Sequence, residues 1–532
     1  MYLPNQFFLK SLNFKKAYAV GVGKFLLAFS FLFFFSGCEL LRDIIDDPSK
    51  PSNRFPMIQV PEGYQVEKVV GGLSYPTSVT WDDQGRMFVS EAGGGFEPIA
   101  YSPIRILQVV GKTTKEIVNL TAHENVKVPF IGMDWHDGAF YITHRAKDLT
   151  GAVSRVTKEG NVETLIEGII DSQSEHQTND IRMGPDGRMY VTVGPAGNSG
   201  VVGPDIGLFV KLSPNLHPRP CQDIVLVGKN FRSPNILTED PDDMTLTGAF
   251  VPFGVETEPG QVIKGVTLCG GSILSFDPKD PMGTIEVHAW GFRNLIGLAW
   301  NKQTGEMYAA ENGYDVRGLR PVNDEIDASL KIEKGKWYGI PDFSAGREPL
   351  TDSKFKAPDD LMAMVVIDGE EQGKELGFVI DHQASGLTPP DPSVVLGRHE
   401  VNSSPSLLDV APESWGDWAG DVFIAEWGDL APPTNPLRGE NNPAGYQIVR
   451  VNPGNNNVEP FVRNRQPGPA SMQGKAGEGI ERPFDVKFGP DGAMYIVDYG
   501  VVDINMDKAP PYVYRANTGA IWKVSKMKKA KD

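Results

Sequence analysis

The sequence predicts an all-β protein, a six-bladed β-propeller with four-stranded blades and long inserted loops. Three observations carry this. One hairpin pattern recurs six times along the chain. Four strands can be traced around its first copy. An early strand, YQVEKVV (64–70), is a candidate to pair with AIWKVSK (520–526) and so close a circle.

The copies are TWDDQGRMFVSEAG (80–93), DWHDGAFYITHRA (134–146), MGPDGRMYVTVG (183–194), WNKQTGEMYAAENG (300–313), WGDWAGDVFIAEWG (415–428) and FGPDGAMYIVDYG (488–500). Each joins an apolar residue, a polar turn with glycine, and a short strand carrying an aromatic. The glycines fall at 85, 138, 187, 305, 420 and 492. Spacings of 49 to 118 residues mark a β-repeat array with insertions rather than a uniform solenoid. In the first copy the strands are PTSVTW, GRMFVSEA, IRILQVV and EIVNL. Four strands per unit describe a propeller blade, and pairing the first strand with the last blade removes exposed sheet edges.

The blade array accounts for residues 60–526, with 527–532 a short tail. The stretch 201–268 reads as an insertion, and 314–403 carries further loop. Long loops in compact folds tend to carry function. Gly 58 and Pro 42 among 532 residues suit many short elements joined by turns. A net charge of −17 argues against nucleic-acid partners, whose phosphates such a surface would repel.

Lys10, Lys15, Lys16 and Lys24 precede an apolar run from Phe25 to Phe35, the length of a signal-peptide core and short of a bilayer span. The run ends Phe35-Ser36-Gly37-Cys38, small residues before a cysteine as in a bacterial lipobox. The expectation is a signal peptide over 1–37, lipidation at Cys38, and a polar tether over 38–59. Removing 1–37, with four lysines and no acids, takes the net charge from −17 to −21. The alternative is an uncleaved N-terminal anchor. The expected location is the periplasmic or cell-surface face of the outer membrane. Export into an oxidising compartment makes Cys221 and Cys269 a candidate disulfide. No CxxCH motif is present, so no haem is covalently attached and electrons would leave to an external acceptor.

Within the blade scheme, His176 and Gln177 precede the inner strand of the third blade. Arg293 and Asn294 hold the same place in the fourth, and Glu311 to Asp315 follow that blade's second strand. All three segments face one rim. A histidine there can act as general base near neutral pH. A guanidinium can clamp a carboxylate at two points. Turn carbonyls and acids can hold a hard cation such as calcium. Neither GxSxG, a phosphate loop nor GxGxxG after a strand occurs.

Taken together, His176-Gln177 with GPDGRMYVTVG, GFRNLIGLAW, MYAAENG, NDEID (323–327), GKWYGIPDF (335–343), GYQIVRV and RPFDVKFGPDGAMYIVDYG resemble the glucose/sorbosone dehydrogenase family. DVRGLRPVNDEID and the cysteine-flanked insertion resemble its sorbosone-dehydrogenase-like branch. The resemblance implies a quinoprotein using pyrroloquinoline quinone (PQQ) and calcium to oxidise an aldose or a related alcohol or aldehyde. It implies His176 as the base. Gln177, Arg293, Asn294, Asn312, Arg317 and Arg438 would contact the cofactor. Gly313, Tyr314, Asp324 and Glu325 would hold the metal. Two positions depart from the soluble glucose enzymes. Asp180 stands where they carry arginine, and Gly194-Pro195 where they carry Gly-Asp. An acid at 180 would oppose a tricarboxylate cofactor. The competing readings are a calcium-dependent lactonase or hydrolase and a non-catalytic propeller binding glycans or proteins.

Overall fold

Six repeated glycines become six turns of one kind. In the computed structural model, which describes residues 55–438 and 443–527, Gly85, Gly138, Gly187, Gly305, Gly420 and Gly492 all have φ between 71° and 86°. An L side chain is strained there, so glycine recurs at that point of each hairpin. Each turn links the first two strands of an antiparallel sheet.

Among the described residues these sheets follow the order of the repeats. The first comprises Pro76–Trp81, Met87–Ala92, Ile104–Val110 and Thr113–Asn119. The second comprises Met133–His136, Ala139–Arg145, Gly151–Val156 and Val162–Ile169. The third takes Thr178–Met183, Met189–Val193, Ser272–Phe276 and Glu286–Trp290. The fourth takes Asn294–Trp300, Met307–Asn312, Asp327–Ile332 and Val395–His399. Pro405–Val410, Val422–Glu426, Gln447–Asn452 and Asn457–Asn464 form the fifth, with Ile58–Gln59 added at its edge. The sixth joins Pro483–Phe488, Met494–Asp498 and Gly519–Lys526 to the early strand Tyr64–Leu73. Val66 pairs with Val524 in antiparallel register, as the sequence predicts for the closing strand.

The first strands of consecutive sheets pack against one another, and Pro483–Phe488 returns to Pro76–Trp81. The arrangement is all-β and propeller-like. Apolar clusters fill the spaces between neighbouring sheets. Phe88, Ile106, Phe130 and Phe140 lie between the first and second. Tyr190, Ile273, Leu298 and Ala309 lie between the third and fourth. Trp415, Phe423, Ile496 and Trp522 join the fifth and sixth. Each large side chain removed from water contributes roughly 1.5–3 kcal/mol.

Carboxylates staple neighbouring inner strands to one another. Asp134 Oδ2 accepts the Met183 N–H at 2.9 Å, and Asp180 Oδ2 the Leu298 N–H at 3.3 Å. Asp409 Oδ2 accepts the Phe488 N–H at 2.9 Å, and Asp485 Oδ2 the Val79 N–H at 3.1 Å. Each bond runs from one sheet to the next.

The cysteine expectation holds, since Cys221 and Cys269 are disulfide-bonded. The two insertions do more than decorate the ring. Asn230–Pro234 and Met244–Gly248, from within the third sheet's connection, pair with Val365–Ile367 and Glu370–Gly373 from the fourth's. They build one additional sheet, which local sequence pattern does not reveal. The expected signal peptide, Cys38 lipidation site and most of the tether lie outside the described residues.

Candidate functional site

The inner strand of the third sheet starts at Thr178, so His176 and Gln177 sit at its mouth end. Gly194 follows that sheet's second strand, and a side chain there would collide with His176 and Asn294. Glycine at 194 therefore lets the third and fourth sheets bring these two residues close together. Asn179 Nδ2 completes the seam by donating to Asn294 Oδ1 at 3.2 Å and to the Leu295 carbonyl at 3.0 Å.

His176 is 5% exposed, and its Nδ1 lies 3.0 Å from the Pro195 carbonyl oxygen. A carbonyl only accepts, so Nδ1 carries the proton and Nε2 keeps its lone pair. Burial depresses the imidazole pKa to about 4; Glu175 opposes the shift, while the guanidiniums of Arg293 and Arg317 add to it. Glu175 Oε1 lies 3.9 Å from Nε2. Burial pushes the Glu175 carboxyl up, but His176, Arg317 and a hydrogen bond from Ser174 outweigh it and hold the group at about 2. The ring is neutral at pH 7 and stands beside an anion that stabilises it once protonated.

Two guanidiniums tie this histidine to the fourth sheet. Arg293 donates through Nη2 to Asp315 Oδ2 at 2.7 Å and to Asn198 Oδ1 at 3.0 Å. Its other contacts, both at 3.4 Å, are Nε to the Asn198 carbonyl and Nη1 to the Asn312 carbonyl. Arg317 meets Asp315 at 2.8 Å, Glu175 at 2.8 Å and Asp205 at 2.5 Å. Burial raises the Asp315 carboxyl, but Arg293 and Arg317 overcome it and hold the group below its ordinary value. A guanidinium has five N–H groups. Four bonds on Arg293 and three on Arg317 leave three N–H donors without an acceptor among the described residues. Three carboxylates against two guanidiniums leave the cluster one negative charge in excess.

The backbone of this mouth is held by two further acids. Glu311 Oε1 accepts the Arg293 N–H at 2.7 Å, and its other oxygen accepts from Arg347 at 2.7 Å. Asp327 Oδ1 accepts the Gly313 N–H at 2.7 Å. Its Oδ2 accepts from the Ser404 N–H at 2.8 Å and the Ser403 hydroxyl at 3.2 Å. Asn312 donates weakly to Ser404 Oγ at 3.4 Å, and its own buried Oδ1 has no donor among the described residues.

The structure thus brings His176, Arg293, Asn312 and Arg317 together, with Asn294 alongside. Gln177 turns away from the cluster and donates to the Phe96 and Glu175 carbonyls at 3.0 and 2.7 Å. Arg438 lies one loop away and pairs with Asp429 at 2.6 Å. That loop docks on the mouth through the Val316 N–H, which donates to the Thr434 carbonyl at 3.0 Å. Of the residues expected at the metal, Gly313 and Tyr314 adjoin Asn312, and the Tyr314 hydroxyl donates to the Phe343 carbonyl at 3.0 Å. Asp324 and Glu325 do not act as a pair. Asp324 is an exposed turn residue at φ 50°, whereas Glu325 is buried and accepts from the Ala345 N–H. Among the described residues no three His, Cys, Asp or Glu side chains are grouped to hold a metal ion. Asp180 also corrects its expected effect. It is spent in the ring interior, bonded to Arg182 at 2.8 Å, so its charge is matched there.

Sequence reasoning missed Glu175, Asn198, Asp205 and Asp327 as members of the site. Glu175 had a signal in its adjacency to His176. The others reach the mouth only through the insertion and sheet pairing.

The fold and site define a propeller-like protein with a buried, charge-rich mouth around one neutral histidine. Residues 260–363, the segment that builds most of the fourth sheet and its mouth loops, match the model of the Glucose / Sorbosone dehydrogenase family. No curated protein matches the chain. Among solved structures, the chain is similar to a Trichoderma reesei protein of Carbohydrate-Active Enzymes family AA12, with TM-score 0.51 and 12% identity over 90% of this chain and 100% of that one. It also aligns with the PQQ-bound aldose sugar dehydrogenase of Streptomyces coelicolor, with TM-score 0.45 and 16% identity over 88% and 99% of the two chains. The PQQ domain of Coprinopsis cinerea pyranose dehydrogenase gives TM-score 0.48 and 14% identity over 90% and 98%. At such identities the Trichoderma likeness speaks to fold alone.

Proposed function

We propose that the protein is a sugar oxidoreductase that uses PQQ and calcium, with His176 Nε2 as general base. The observation that carries the reading is the His176–Pro195 hydrogen bond, which fixes an unprotonated Nε2 in a buried site beside Glu175, Arg293 and Arg317.

The residues present fit both groups. The spare N–H donors of Arg293 and Arg317 suit the oxygens of an anionic planar quinone. Asn312 Oδ1 is a hard oxygen without a partner among the described residues, and the carbonyls of Gly313 and Tyr314 follow it along the chain. The cluster's excess negative charge favours a divalent cation. When bound, the quinone supplies the two-electron acceptor for a hydride leaving the substrate carbon.

The chain's own residues handle the proton and the geometry. Nε2 takes the proton of the substrate hydroxyl as the C–H bond breaks and the carbonyl forms. Glu175 stabilises the imidazolium so produced. Arg317, held by three carboxylates, fixes Glu175 in place. Burial of the mouth strengthens each of these interactions.

The same reading takes the sheets as six blades of one ring over 60–526, with 201–268 inserted. It takes 1–37 as a signal peptide and Cys38 as the lipid anchor of an exported protein that passes electrons to an external acceptor. The test is to purify the full chain without cofactor, titrate it with PQQ and calcium by calorimetry, and follow dye reduction with a panel of aldoses. Saturable, chelator-reversible binding with sugar-dependent dye reduction is expected. Absence of both binding and reduction overturns the reading.

A further inference from the structure

The short hairpin Val502–Ile504 and Tyr512–Tyr514 lies between the second and third strands of the sixth sheet. It carries aromatic rings toward the third sheet's mouth. Tyr512 packs edge-on against Phe96, with centroids 5.9 Å apart, and Phe96 packs edge-on against Trp427 at 5.6 Å. The Phe96 carbonyl accepts from Gln177 at 3.0 Å, next to His176, and from Arg145 at 2.9 Å. The three rings therefore form a corner one residue from the base.

This corner holds hydrogen-bonding groups that the protein does not use. The Tyr512 side chain is half-buried, and its hydroxyl has no hydrogen bond among the described residues. Arg317, Asp315, Glu97 and Glu175 all act electrostatically on that hydroxyl, which places it at the charged mouth. Trp427 is 4% exposed and its indole N–H has no acceptor among the described residues. Glu97, next to Phe96, accepts from the Tyr514 hydroxyl at 3.1 Å, while its other oxygen has no donor among the described residues. The half-buried Tyr512 hydroxyl, without a partner among the described residues and set beside these unpaired buried groups, suits an external group that both donates and accepts.

We infer that Phe96 and Tyr512, backed by the buried Trp427 whose ring already carries the Arg482 guanidinium at 4.2 Å, form a carbohydrate subsite beside His176, with Tyr512 a specificity-determining residue. A pyranose has an apolar C–H face that packs on aromatic rings and a rim of hydroxyls that donate and accept. An aliphatic alcohol offers neither in that arrangement. The inference deepens the reading of the mouth as a sugar oxidoreductase site by naming which residues hold the ring.

The experiment uses the full chain and two variants, Tyr512→Phe and Tyr512→Leu, with two readouts. The first is D-glucose and maltose binding to cofactor-free protein, followed by tryptophan fluorescence and saturation-transfer NMR. The second is KM and kcat for the same sugars after loading with PQQ and calcium. Losing one hydrogen bond is expected to weaken binding and raise KM about fivefold in Tyr512→Phe. Losing the ring as well is expected to weaken both about 10- to 100-fold in Tyr512→Leu. In both variants kcat stays within about twofold, because the tyrosine binds the sugar before and during reaction alike. Binding with no turnover in the parent protein defeats the dehydrogenase reading and leaves the subsite standing. No binding of either sugar by the parent, or equal binding by the parent and Tyr512→Leu, overturns the subsite. A fall in kcat without change in KM or binding also overturns it, by making Tyr512 something other than a sugar contact.

Discussion

Carboxylates appear in two regions of this molecule and serve opposite purposes. Along the ring interior, Asp134, Asp180, Asp409 and Asp485 each accept a backbone N–H of the next sheet. These bonds serve geometry every folded copy shares. At the mouth, Glu175, Asp205 and Asp315 face guanidiniums instead. Those pairs fix Arg293 and Arg317 yet leave N–H groups unspent. A charge bonded to backbone locks architecture, and a charge bonded to a forked side chain leaves capacity for a ligand. The ring's carboxylates bind the protein's own backbone, whereas the mouth's guanidiniums keep donors for a ligand.

The comparison breaks most sharply at His176. His176→Ala is expected to lower kcat/KM by roughly 10²–10⁴-fold, the usual worth of a positioned general base, with little change in the unfolding midpoint. Steady-state kinetics with a thermal melt check both halves. The pH profile sharpens the same point. A base whose pKa is lowered to about 4 stays neutral through the weakly acid range, so the acid limb of kcat/KM is expected near pH 4 rather than 6.5. The stability effect has a definite sign. Between pH 6.5 and 4 the unfolded chain holds a proton that folded His176 refuses, so stability falls as pH drops through that window. An acid limb at 6.5 contradicts the buried, neutral ring.

Asp180→Ala addresses the other region. Arg182 loses its 2.8 Å partner, and the Leu298 N–H loses its acceptor at 3.3 Å. Removing one member of a buried pair costs about 3–5 kcal/mol. Denaturant unfolding should show that loss, while KM for PQQ-loaded protein that remains folded should not move. A selective loss of cofactor binding instead would return Asp180 to the mouth, where the resemblance first put it.

How much of this was legible in the sequence follows from the same division. The six turn glycines were legible because φ near +75° admits few other residues at that point in a hairpin. The closing strand was legible because an orphan strand at one end needs an edge to cover. His176, Arg293 and Asn312 were legible as residues at repeated places in a blade. The charges that surround them were not, since Arg317 meets Glu175 and Asp205 only after residues more than 100 positions apart are folded together. Asp324 and Glu325 are adjacent acids in one motif, and sequence could not tell which was exposed. The positive φ at Asp324 separates them. Tyr512 was illegible for a further reason: its hairpin belongs to no repeat.

Asp327 tests whether the two regions are as distinct as the charges suggest, because it uses the ring's chemistry inside the mouth. It opens the fourth sheet's third strand. One oxygen holds Gly313, and the other holds Ser403 and Ser404 ahead of the fifth sheet. It hydrogen-bonds to neither Arg293 nor His176, so its role is positioning. Asp327→Asn keeps the volume and one acceptor oxygen but turns an N–H₂ toward one of these donors. Leaving one buried N–H unsatisfied costs about 1–3 kcal/mol. If that strain is confined to the mouth, kcat falls about tenfold while the unfolding midpoint moves little, and calcium affinity measured by calorimetry weakens as the Asn312–Tyr314 carbonyls shift. If Asp327 instead belongs with the ring staples, the same substitution lowers stability and leaves kcat and calcium affinity alone. Measuring all three on one variant decides between the two.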